Sequence, residues 1–296
     1  MQMKAILTIG VSASGKSSWA DEFIKVNPSY QKIERDCIRK GIMFQKGYDG
    51  LDWTKWKFQW EKDVTREHER LIDVAIQNGR DIVVSDTNLN PKTRASLTRR
   101  FKEAGYEVEE RLFPISYEEA VTRDSRRRYG VGPSVIAQQM ESWDKQFSKT
   151  YVPDTTKPQA LILDLDGTIA HHDGKRDIYD TAAAINDRCD SEVKAIVNGL
   201  HHQGWYIIVL TGRKVAHRQA SLDWLKKNAI PFFEFHCRPE GDEERHDDEV
   251  KLDVFWRDIA PRYNVRAVIE DRPRVCRAWR SIGLKTFQVG NPHKEF

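Results

Sequence analysis

The stretch KAILTIGVSASGKSSWADEFIKV, residues 4–26, decides the fold of the first part of this chain. Its apolar start predicts a buried strand, and its later half predicts a helix. Between them, GVSASGKS at 10–17 matches the pattern G-x-x-x-x-G-K-[ST]. Glycine lets such a loop curl so that backbone N–H groups face phosphate oxygens, and the helix adds its positive N-terminal end. The stretch therefore predicts a strand, loop and helix that hold a nucleoside triphosphate.

The loop residues are the predicted contacts to ATP. Lys16 is expected to reach the β- and γ-phosphates, and Ser17 is expected to ligate Mg²⁺. The predicted nucleotide contacts in the loop are Gly10, Val11, Ser12, Ala13, Ser14, Gly15, Lys16, Ser17 and Ser18.

Alternating strand-like and amphipathic segments predict two α/β domains with parallel sheets. The runs AILTI, DIVVS and EVEERLF precede YVPDTTKP at 151–158, whose two prolines suit a linker, and a second strand series follows. We expect a first domain over 1–152, a linker over 153–158 and a second domain over 159–296.

Composition excludes several classes of protein. Hydrophobic residues make up 39% of the 296 residues and charged residues 31%, which is typical of globular domains. The N-terminus lacks a signal-peptide pattern, and no apolar run is long enough to cross a bilayer. Four widely spaced cysteines indicate free thiols, which favours a cytoplasmic location without membrane association. The net charge of +3 is too small to indicate a nucleic-acid binder by itself.

Carboxylates and arginines near the loop predict phosphoryl transfer. Asp86 ends the strand-like run DIVVSD, a usual position for a carboxylate near Mg²⁺. Asp36 follows the short run YQKIE, where it could take a proton from an attacking hydroxyl; the N-cap of the next helix is the alternative. The arginine run at 123–128 predicts a lid over the transferring phosphoryl group, with Arg126 and Arg128 more typical of a solvated face.

A second stretch, LILDLDGTIA at 161–170, predicts a phosphate site of different chemistry. Asp164 and Asp166 lie two residues apart at a strand end, so we expect their side chains on one side with a Mg²⁺ ion between them. The pattern D-x-D-G-T is the signature of the haloacid-dehalogenase-type phosphatases. In that superfamily the first aspartate is the nucleophile, and the second is the general acid and base.

The other parts of that signature follow in the expected order along the chain. Thr211 lies at a strand end in VLTGR, Lys251 is predicted to open a helix, and Glu270 and Asp271 follow RAVI. Asp271 is favoured over Glu270 as the metal ligand. Only 44 residues separate Asp166 from the strand end before Thr211, too few for a large cap domain. An uncapped site favours the end of a polymer as its substrate.

Three tryptophans, Trp53, Trp56 and Trp60, recur at helical spacing in DWTKWKFQW. This spacing predicts one face of a helix packed into the core. Stacking on nucleobases is the alternative.

Taken in order, these motifs resemble the phage-type bifunctional polynucleotide 5′-kinase/3′-phosphatases over essentially the whole chain. The resemblance rests on segments that include GVSASGKSSWADEFI, RDCIRKGI, VVSDTNLNP, TRDSRRR, LDLDGT, LTGR, DDEVK and EDR. It implies ATP as phosphate donor, Mg²⁺ in both domains, and 5′-hydroxyl and 3′-phosphate ends of RNA or DNA as substrates. It also implies that the healed ends pass to a ligase, and it leaves the oligomeric state open, including a homo-oligomer.

The resemblance assigns site residues in both domains. In the first domain it implies Asp36 as base, Arg39 at a phosphate of the acceptor strand, and Arg127 with Arg123 as lid arginines. The remaining residues that it implies there are Lys16, Ser17, Asp86 and Thr87. In the second domain it implies Asp164, Asp166, Arg176, Thr211, Gly212, Arg213, Asp247, Lys251, Glu270 and Asp271. Lys175 is a rival to Arg176, because extra residues follow LDLDGT.

Two other functions are compatible with the motifs. A kinase/phosphatase pair for small metabolites would use the same chemistry, and competition between sugars or nucleosides and oligonucleotides would separate the two. A non-catalytic nucleic-acid-binding adaptor would keep the fold alone. The presence of every expected catalytic side chain counts against the adaptor.

Overall fold

In the computed structural model, which describes residues 2–172, 186–242 and 244–291, the chain divides into two units between Phe147 and Ser148. The division lies a few residues before the predicted linker. The reason is that Tyr151 packs in the second unit, where its backbone N–H donates to the carbonyl of Ile282 and its hydroxyl to the carbonyl of Tyr263. Each unit has its own sheet and its own core, and the predicted α/β class with parallel sheets is confirmed.

Four parallel strands form the sheet of the first unit. They are β1 (Lys4–Ile9), β2 (Tyr30–Ile33), β3 (Asp81–Val84) and β4 (Glu107–Leu112). Their order in the sheet is β2–β3–β1–β4. The helices around them are α1 (Lys16–Val26), α2 (Arg35–Gln45), α3 (Glu61–Gln77), α4 (Pro91–Glu103), α5 (Tyr117–Ser125) and α6 (Pro133–Phe147). Strand β1 is buried over all but its first residue, as expected for an inner strand covered on both faces.

Five parallel strands form the main sheet of the second unit. The strands of this unit are β5 (Gln159–Leu163), β6 (Ala170–His171), β7 (Arg188–Cys189), β8 (Tyr206–Lys214), β9 (Glu234–Arg238), β10 (Asn264–Glu270) and β11 (Thr286–Gln288). The main sheet has the order β11–β10–β5–β8–β9, and β6 pairs with β7 as a short antiparallel ribbon. The helices are α7 (Ser191–His202), α8 (Arg218–Lys227), α9 (Asp247–Val254) and α10 (Pro273–Ser281), with a π-helical turn over Phe255–Ile259. Arg176 and its rival Lys175 lie outside the described residues.

In both sheets an inner strand leads directly into the motif found in the sequence. Strand β1 runs into the phosphate loop, and β5 runs into LDLDGT. The carboxyl ends of parallel strands lie along one edge of a sheet, where open α/β folds bind ligands. The loops after β1, β2 and β3 therefore converge in the first unit, and those after β5, β8 and β10 converge in the second. None of the described helices is both long and apolar enough to cross a bilayer.

Two local predictions are wrong. Trp53 lies in a turn and Trp60 ends the 3₁₀ turn Phe58–Trp60, so the tryptophans do not share a helix face. They are half-buried and are absent from the clusters of buried residues that form the core of this unit. Lys251 does not open a helix, because α9 begins at Asp247 and places Lys251 one turn further on the same face.

Candidate active sites

The phosphate loop and the residues after β2 and β3 enclose a pocket of about 140 Å³. Most of the predicted residues of the first unit line it, so the structure brings them together. The lining residues are Ser12, Ala13, Gly15, Lys16, Ser17, Ser18, Glu34, Arg35, Asp36, Arg39, Ser85, Asp86, Thr87 and Arg127.

The loop has the backbone that the motif predicts. Gly15 caps α1 with a φ of 96°, in the left-handed region that favours glycine. A Cβ on Gly10 would lie 2.7 Å from Ser14 Oγ, so a side chain there would collide with the loop. Lys16 is buried, and its Nζ donates to the carbonyl of Val11 at 2.6 Å and to Ser14 Oγ at 3.1 Å. Burial, with the charge of Arg127, lowers the pKa of Lys16 to about 8.

Beside the loop, Glu34 is a carboxylate that the sequence analysis missed. The Ser17 hydroxyl donates to Glu34, which also pairs with Lys32 Nζ at 2.7 Å. Carboxylate and hydroxyl oxygens are suitable ligands for a hard divalent cation. Ser17 and Glu34 together therefore fit a metal ion beside the phosphates. The position of Glu34 directly after β2 was the available signal.

Asp36 faces the pocket from the first turn of α2. The helix begins at Arg35 with Glu34 as its N-cap, so the N-cap alternative for Asp36 is wrong. Its side chain is 48% exposed and accepts a hydrogen bond from Arg39 Nη1 at 2.7 Å. Arg39 also donates to both carboxylate oxygens of Glu61, at 2.9 and 3.0 Å. Asp36 is thus oriented by one arginine and remains open to an incoming group.

Asp86 is held in place by groups from two helices. Its Oδ1 accepts the backbone N–H of Arg35 at 2.8 Å, and its Oδ2 lies 3.0 Å from His68 Nε2. His68 is on α3 and only 2% exposed. Sequence reasoning missed His68, since one histidine on a buried helix face gives no signal. The hydrogen bond from Arg35 fixes the orientation of Asp86 relative to the loop, and the His68 ring lies against its other oxygen.

The two lid arginines of the resemblance have different surroundings. Arg127 lines the pocket, and its backbone N–H donates to the carbonyl of the buried Asp124. Arg123 Nε donates to Glu119 at 2.6 Å on the exposed face of α5, and Arg123 is not among the pocket residues. The structure therefore places Arg127 at the site, and it does not place Arg123 there.

In the second unit, Asp164 is buried against a lysine. Its Oδ1 accepts from Lys251 Nζ at 2.7 Å, and its Oδ2 accepts from the Thr168 hydroxyl at 2.9 Å. Lys251 Nζ also lies 2.8 Å from Glu270 Oε2 and 3.4 Å from Asp247 Oδ2. Burial, together with the charge of Glu270, raises the pKa of Asp164 to about 7. Burial alone would lower the pKa of Lys251, but its carboxylate neighbours raise it well above the usual value.

Three carboxylates form a cluster that fits a divalent cation. Asp164, Glu270 and Asp271 each offer an oxygen, and these oxygens lie within 4.8 Å of one another. Burial and the charge of Asp164 raise the pKa of Asp271 to about 6, and burial also raises the pKa of Glu270. A Cβ on Gly167 would lie 2.1 Å from Asp271 Oδ2, so only glycine lets the loop approach. These carboxylates are crowded around Lys251, and a bound cation would reduce the repulsion between them.

Asp166 differs from the prediction. Its carboxylate does not belong to this cluster and is held by Arg213 in a bidentate pair, with Nε at 2.7 Å and Nη2 at 2.6 Å. Each of the two carboxylates has its own cationic side chain in this structure, and the cation expected between Asp164 and Asp166 stays a prediction. Asp166 is 46% exposed, whereas Asp164 is buried. Arg213 also contacts the buried Asp187 at 3.4 Å, a residue that the sequence analysis missed.

Asp247 lies against the last residues of β8. It is buried, lies 3.1 Å from Arg238 and 3.3 Å from Arg272, and these arginines with Lys251 lower its pKa against the effect of burial. A Cβ on Gly212 would lie 2.5 Å from Asp247 Oδ1, so this position also requires glycine. The neighbouring Thr211 is buried, and its hydroxyl accepts the backbone N–H of Arg213 at 3.2 Å.

Comparison with protein families agrees with this geometry. Residues 158–293 match the family described as the polynucleotide kinase PNKP phosphatase domain, and residues 6–153 match the AAA domain. The chain belongs to the bifunctional polynucleotide kinase/phosphatase family. We therefore call the two units the kinase domain and the phosphatase domain. Their families imply dependence on a nucleotide and on a metal ion.

Individual relatives carry similar names. A protein of Autographa californica nuclear polyhedrosis virus, named as a bifunctional polynucleotide kinase/RNA ligase, is 31% identical over 304 aligned residues. The alignment covers 98% of this chain and 43% of that protein, so the chain spans less than half of its relative. Two solved structures of Pnkp1/Rnl/Hen1 complexes, one described as an RNA repair complex, contain chains 25% identical to this one. Each has a TM-score of 0.45 over 97% of this chain and 96% of that chain.

Proposed function

We propose that this chain is an end-healing enzyme that phosphorylates 5′-hydroxyl ends of polynucleotides and removes 3′-phosphates. The observation that carries the proposal is the presence of two unlike phosphate sites on one chain. One is an open pocket where a phosphate loop faces Asp36, and the other is a buried carboxylate, Asp164, paired with Lys251. A phosphate donor suits the first site, and a phosphate ester to be cleaved suits the second.

In the kinase domain, the loop N–H groups, Lys16 and Arg127 would hold the ATP phosphates. Asp36 would take the proton of the 5′-hydroxyl as its oxygen bonds to the γ-phosphorus and the bond to the β-phosphate oxygen breaks. Asp86, oriented by His68, would position the acceptor. Mg²⁺ held by Ser17 and Glu34 would neutralise charge that develops on the phosphates.

In the phosphatase domain, Asp164 would attack phosphorus and form an acyl phosphate while Asp166 donates a proton to the departing 3′-oxygen. Asp166 would then take a proton from the water that releases inorganic phosphate. Its greater exposure suits a group that exchanges protons with substrate and solvent, and its pairing with Arg213 holds the carboxylate in position. Mg²⁺ held by Asp164 and Asp271, with Glu270 beside them, would offset the repulsion between the phosphate and the carboxylates.

We further propose that the substrates are polymer ends and that the healed ends pass to a ligase. The name of the viral relative combines polynucleotide kinase with RNA ligase, and that protein is more than twice as long as this chain. The chain would then supply the two reactions that prepare ends for sealing. These reactions give a 5′-phosphate and a 3′-hydroxyl.

A paired assay tests the proposal. Labelled ATP and a 5′-hydroxyl oligonucleotide report the kinase, and phosphate release from a 3′-phosphate oligonucleotide reports the phosphatase, each as matched RNA and DNA. We expect both activities with Mg²⁺ and neither in excess chelator. Nucleosides and sugars should compete poorly. Equal turnover of those small molecules, or no turnover of either oligonucleotide, would contradict the proposal.

A further inference from the structure

Three tryptophans that lie outside the hydrophobic core form one aromatic surface, which we call the tryptophan patch (Trp53, Trp56 and Trp60). The rings meet edge to face, with centroids 6.4 Å apart for Trp53 and Trp56 and 5.3 Å apart for Trp56 and Trp60. All three side chains are half-buried, so each keeps part of its surface accessible. The adjacent Phe58 is 88% exposed.

The patch is continuous with the kinase pocket through Arg39. The Arg39 guanidinium lies 5.5 Å from the centre of the Trp53 ring, and the same group donates to Asp36 at 2.7 Å. Asp36 and Arg39 both line the pocket. A strand whose terminal hydroxyl reaches Asp36 would therefore have its next groups beside Arg39 and the tryptophan rings.

The loop that carries the patch also touches the segment that carries Arg127. Arg128 pairs with Asp49 at 3.2 Å, and a Cβ on Gly50 would come within 3.0 Å of the Tyr129 ring. Arg127 of this segment lines the pocket, and Trp53 of the patch contacts the pocket residue Arg39. The loop of the patch is therefore next to the segment that carries Arg127.

Two exposed lysines beside the patch suit a polyanion. Lys57 Nζ lies 5.8 Å from the centre of the Trp60 ring, and Lys55 and Lys57 are both exposed. Proteins that bind single strands combine aromatic rings, on which bases stack, with cationic side chains that follow the phosphates. Every base has a π-face, so such a surface accepts any sequence.

We propose that the tryptophan patch binds the 5′-terminal bases of the acceptor strand by stacking, with Lys55 and Lys57 near the phosphates. This inference rests on the proposed kinase function and adds a subsite to it. Loss of one stacked base lowers affinity by about 5- to 150-fold. The patch therefore sets the KM for the acceptor and leaves the KM for ATP unchanged.

The test compares Trp53→Ala and Trp56→Ala with wild type on two short 5′-hydroxyl strands. One strand carries all its bases, and the other has abasic sugars at its first two positions. We expect the substitutions to raise the KM for the complete strand about tenfold. The wild type should show a similar rise on the abasic strand, and the substitutions should add nothing further there. Trp56→Phe should restore part of the loss.

Two controls make the result specific. Phe44→Ala removes another exposed aromatic ring of the kinase domain and should leave the acceptor KM unchanged. The KM for ATP of each variant should equal wild type, which shows that the kinase domain of the variant is folded. If wild type labels neither strand, the proposed function has failed before the patch is tested.

Other outcomes would overturn the inference. Equal KM increases on complete and abasic strands would show that the tryptophans do not bind bases. An unchanged acceptor KM in Trp53→Ala and Trp56→Ala would show that the patch does not bind the acceptor strand. Concentration-dependent dimerisation of wild type that Trp56→Ala abolishes, without an effect of the abasic sugars, would assign the patch to a second copy of the chain.

Discussion

The two candidate phosphate sites of this chain differ in how exposed and how fully paired their charged side chains are. In the kinase domain, the Asp36 side chain is about half-exposed, and the buried Lys16 is bonded to oxygens of its own loop. In the phosphatase domain, Asp164, Lys251 and Glu270 are buried and already paired. The groups of the first site gain their partners when the two substrates bind. The second site is assembled before its substrate arrives, and this difference predicts how each responds to change.

The largest difference should appear when each site loses its lysine. Lys251→Met leaves three carboxylates buried without their shared cation, and we expect the free energy of unfolding of the phosphatase domain to fall by about 3–5 kcal/mol. Lys16→Met should change kinase-domain stability by less than about 1 kcal/mol. It should still lower kinase activity at least about 100-fold. Calorimetry of the two variants checks this prediction, and equal stability losses would contradict it.

The open kinase site should depend on one arginine of the run at 123–128. Arg127→Ala should lower kcat of the kinase about 100- to 1000-fold, because the charge that develops on the transferring phosphoryl group loses a partner. Arg128→Ala is the matched control, since Arg128 is exposed and paired with Asp49. Its kcat should stay within about twofold of wild type. Steady-state kinetics with saturating acceptor distinguish the two variants. Similar losses of kcat in both would show that Arg127 has no specific role in phosphoryl transfer.

The buried phosphatase cluster should bind metal in competition with protons. The folded pKa of Asp164 is raised to about 7 and that of Asp271 to about 6, so bound protons stabilise the metal-free fold and this stability is lost as pH rises through 7. A cation must displace those protons. Its apparent affinity should therefore fall about tenfold per pH unit below 6 for each proton displaced.

Mn²⁺ binding followed by paramagnetic resonance between pH 5.5 and 8 measures this effect in a Ser17→Ala, Glu34→Gln background, which removes the proposed metal ligands of the kinase domain. Asp166→Asn should keep the same pH dependence, because Asp166 lies with Arg213 outside the cluster. Asp271→Asn should lose most of the binding. A pH-independent affinity would contradict the account of the cluster.

The smallest effect should come from His68, which acts through Asp86. His68→Leu should raise the KM for the acceptor by about three- to tenfold and leave the KM for ATP unchanged, since Asp86 loses one of the groups that orient it. His68→Gln keeps a polar contact and should recover part of the loss. Acceptor and ATP titrations on both variants check the split. A rise in the ATP KM alone would assign His68 a different role.

The sequence was informative where a site is built from consecutive residues. Strand β1, the loop and α1 follow one another closely in the sequence, and the positions of the glycines predict the backbone conformation of the loop. The same holds for β5 and LDLDGT. Asp164 and Lys251 are far apart in the chain but were found together, because a known signature orders them.

Contacts set only by packing could not be predicted. Asp166 pairs with Arg213, which is 47 residues away in the sequence. The two-residue spacing of Asp164 and Asp166 does not predict which cationic side chain pairs with each carboxylate. His68 reaches Asp86 from the middle of α3, where it has the pattern of a core residue. The tryptophans follow a helical spacing, but glycines at 47 and 50 with positive φ precede a turn there.

The most direct test uses one oligonucleotide with a 5′-hydroxyl and a 3′-phosphate, incubated with ATP and Mg²⁺ and read by mass spectrometry. Wild type should give the 5′-phosphate, 3′-hydroxyl product. Asp36→Asn should give an oligonucleotide with hydroxyls at both ends, and Asp164→Asn should give one with phosphates at both ends. If either substitution stopped both reactions in a folded chain, or if neither stopped one, the account of two separate sites would be contradicted.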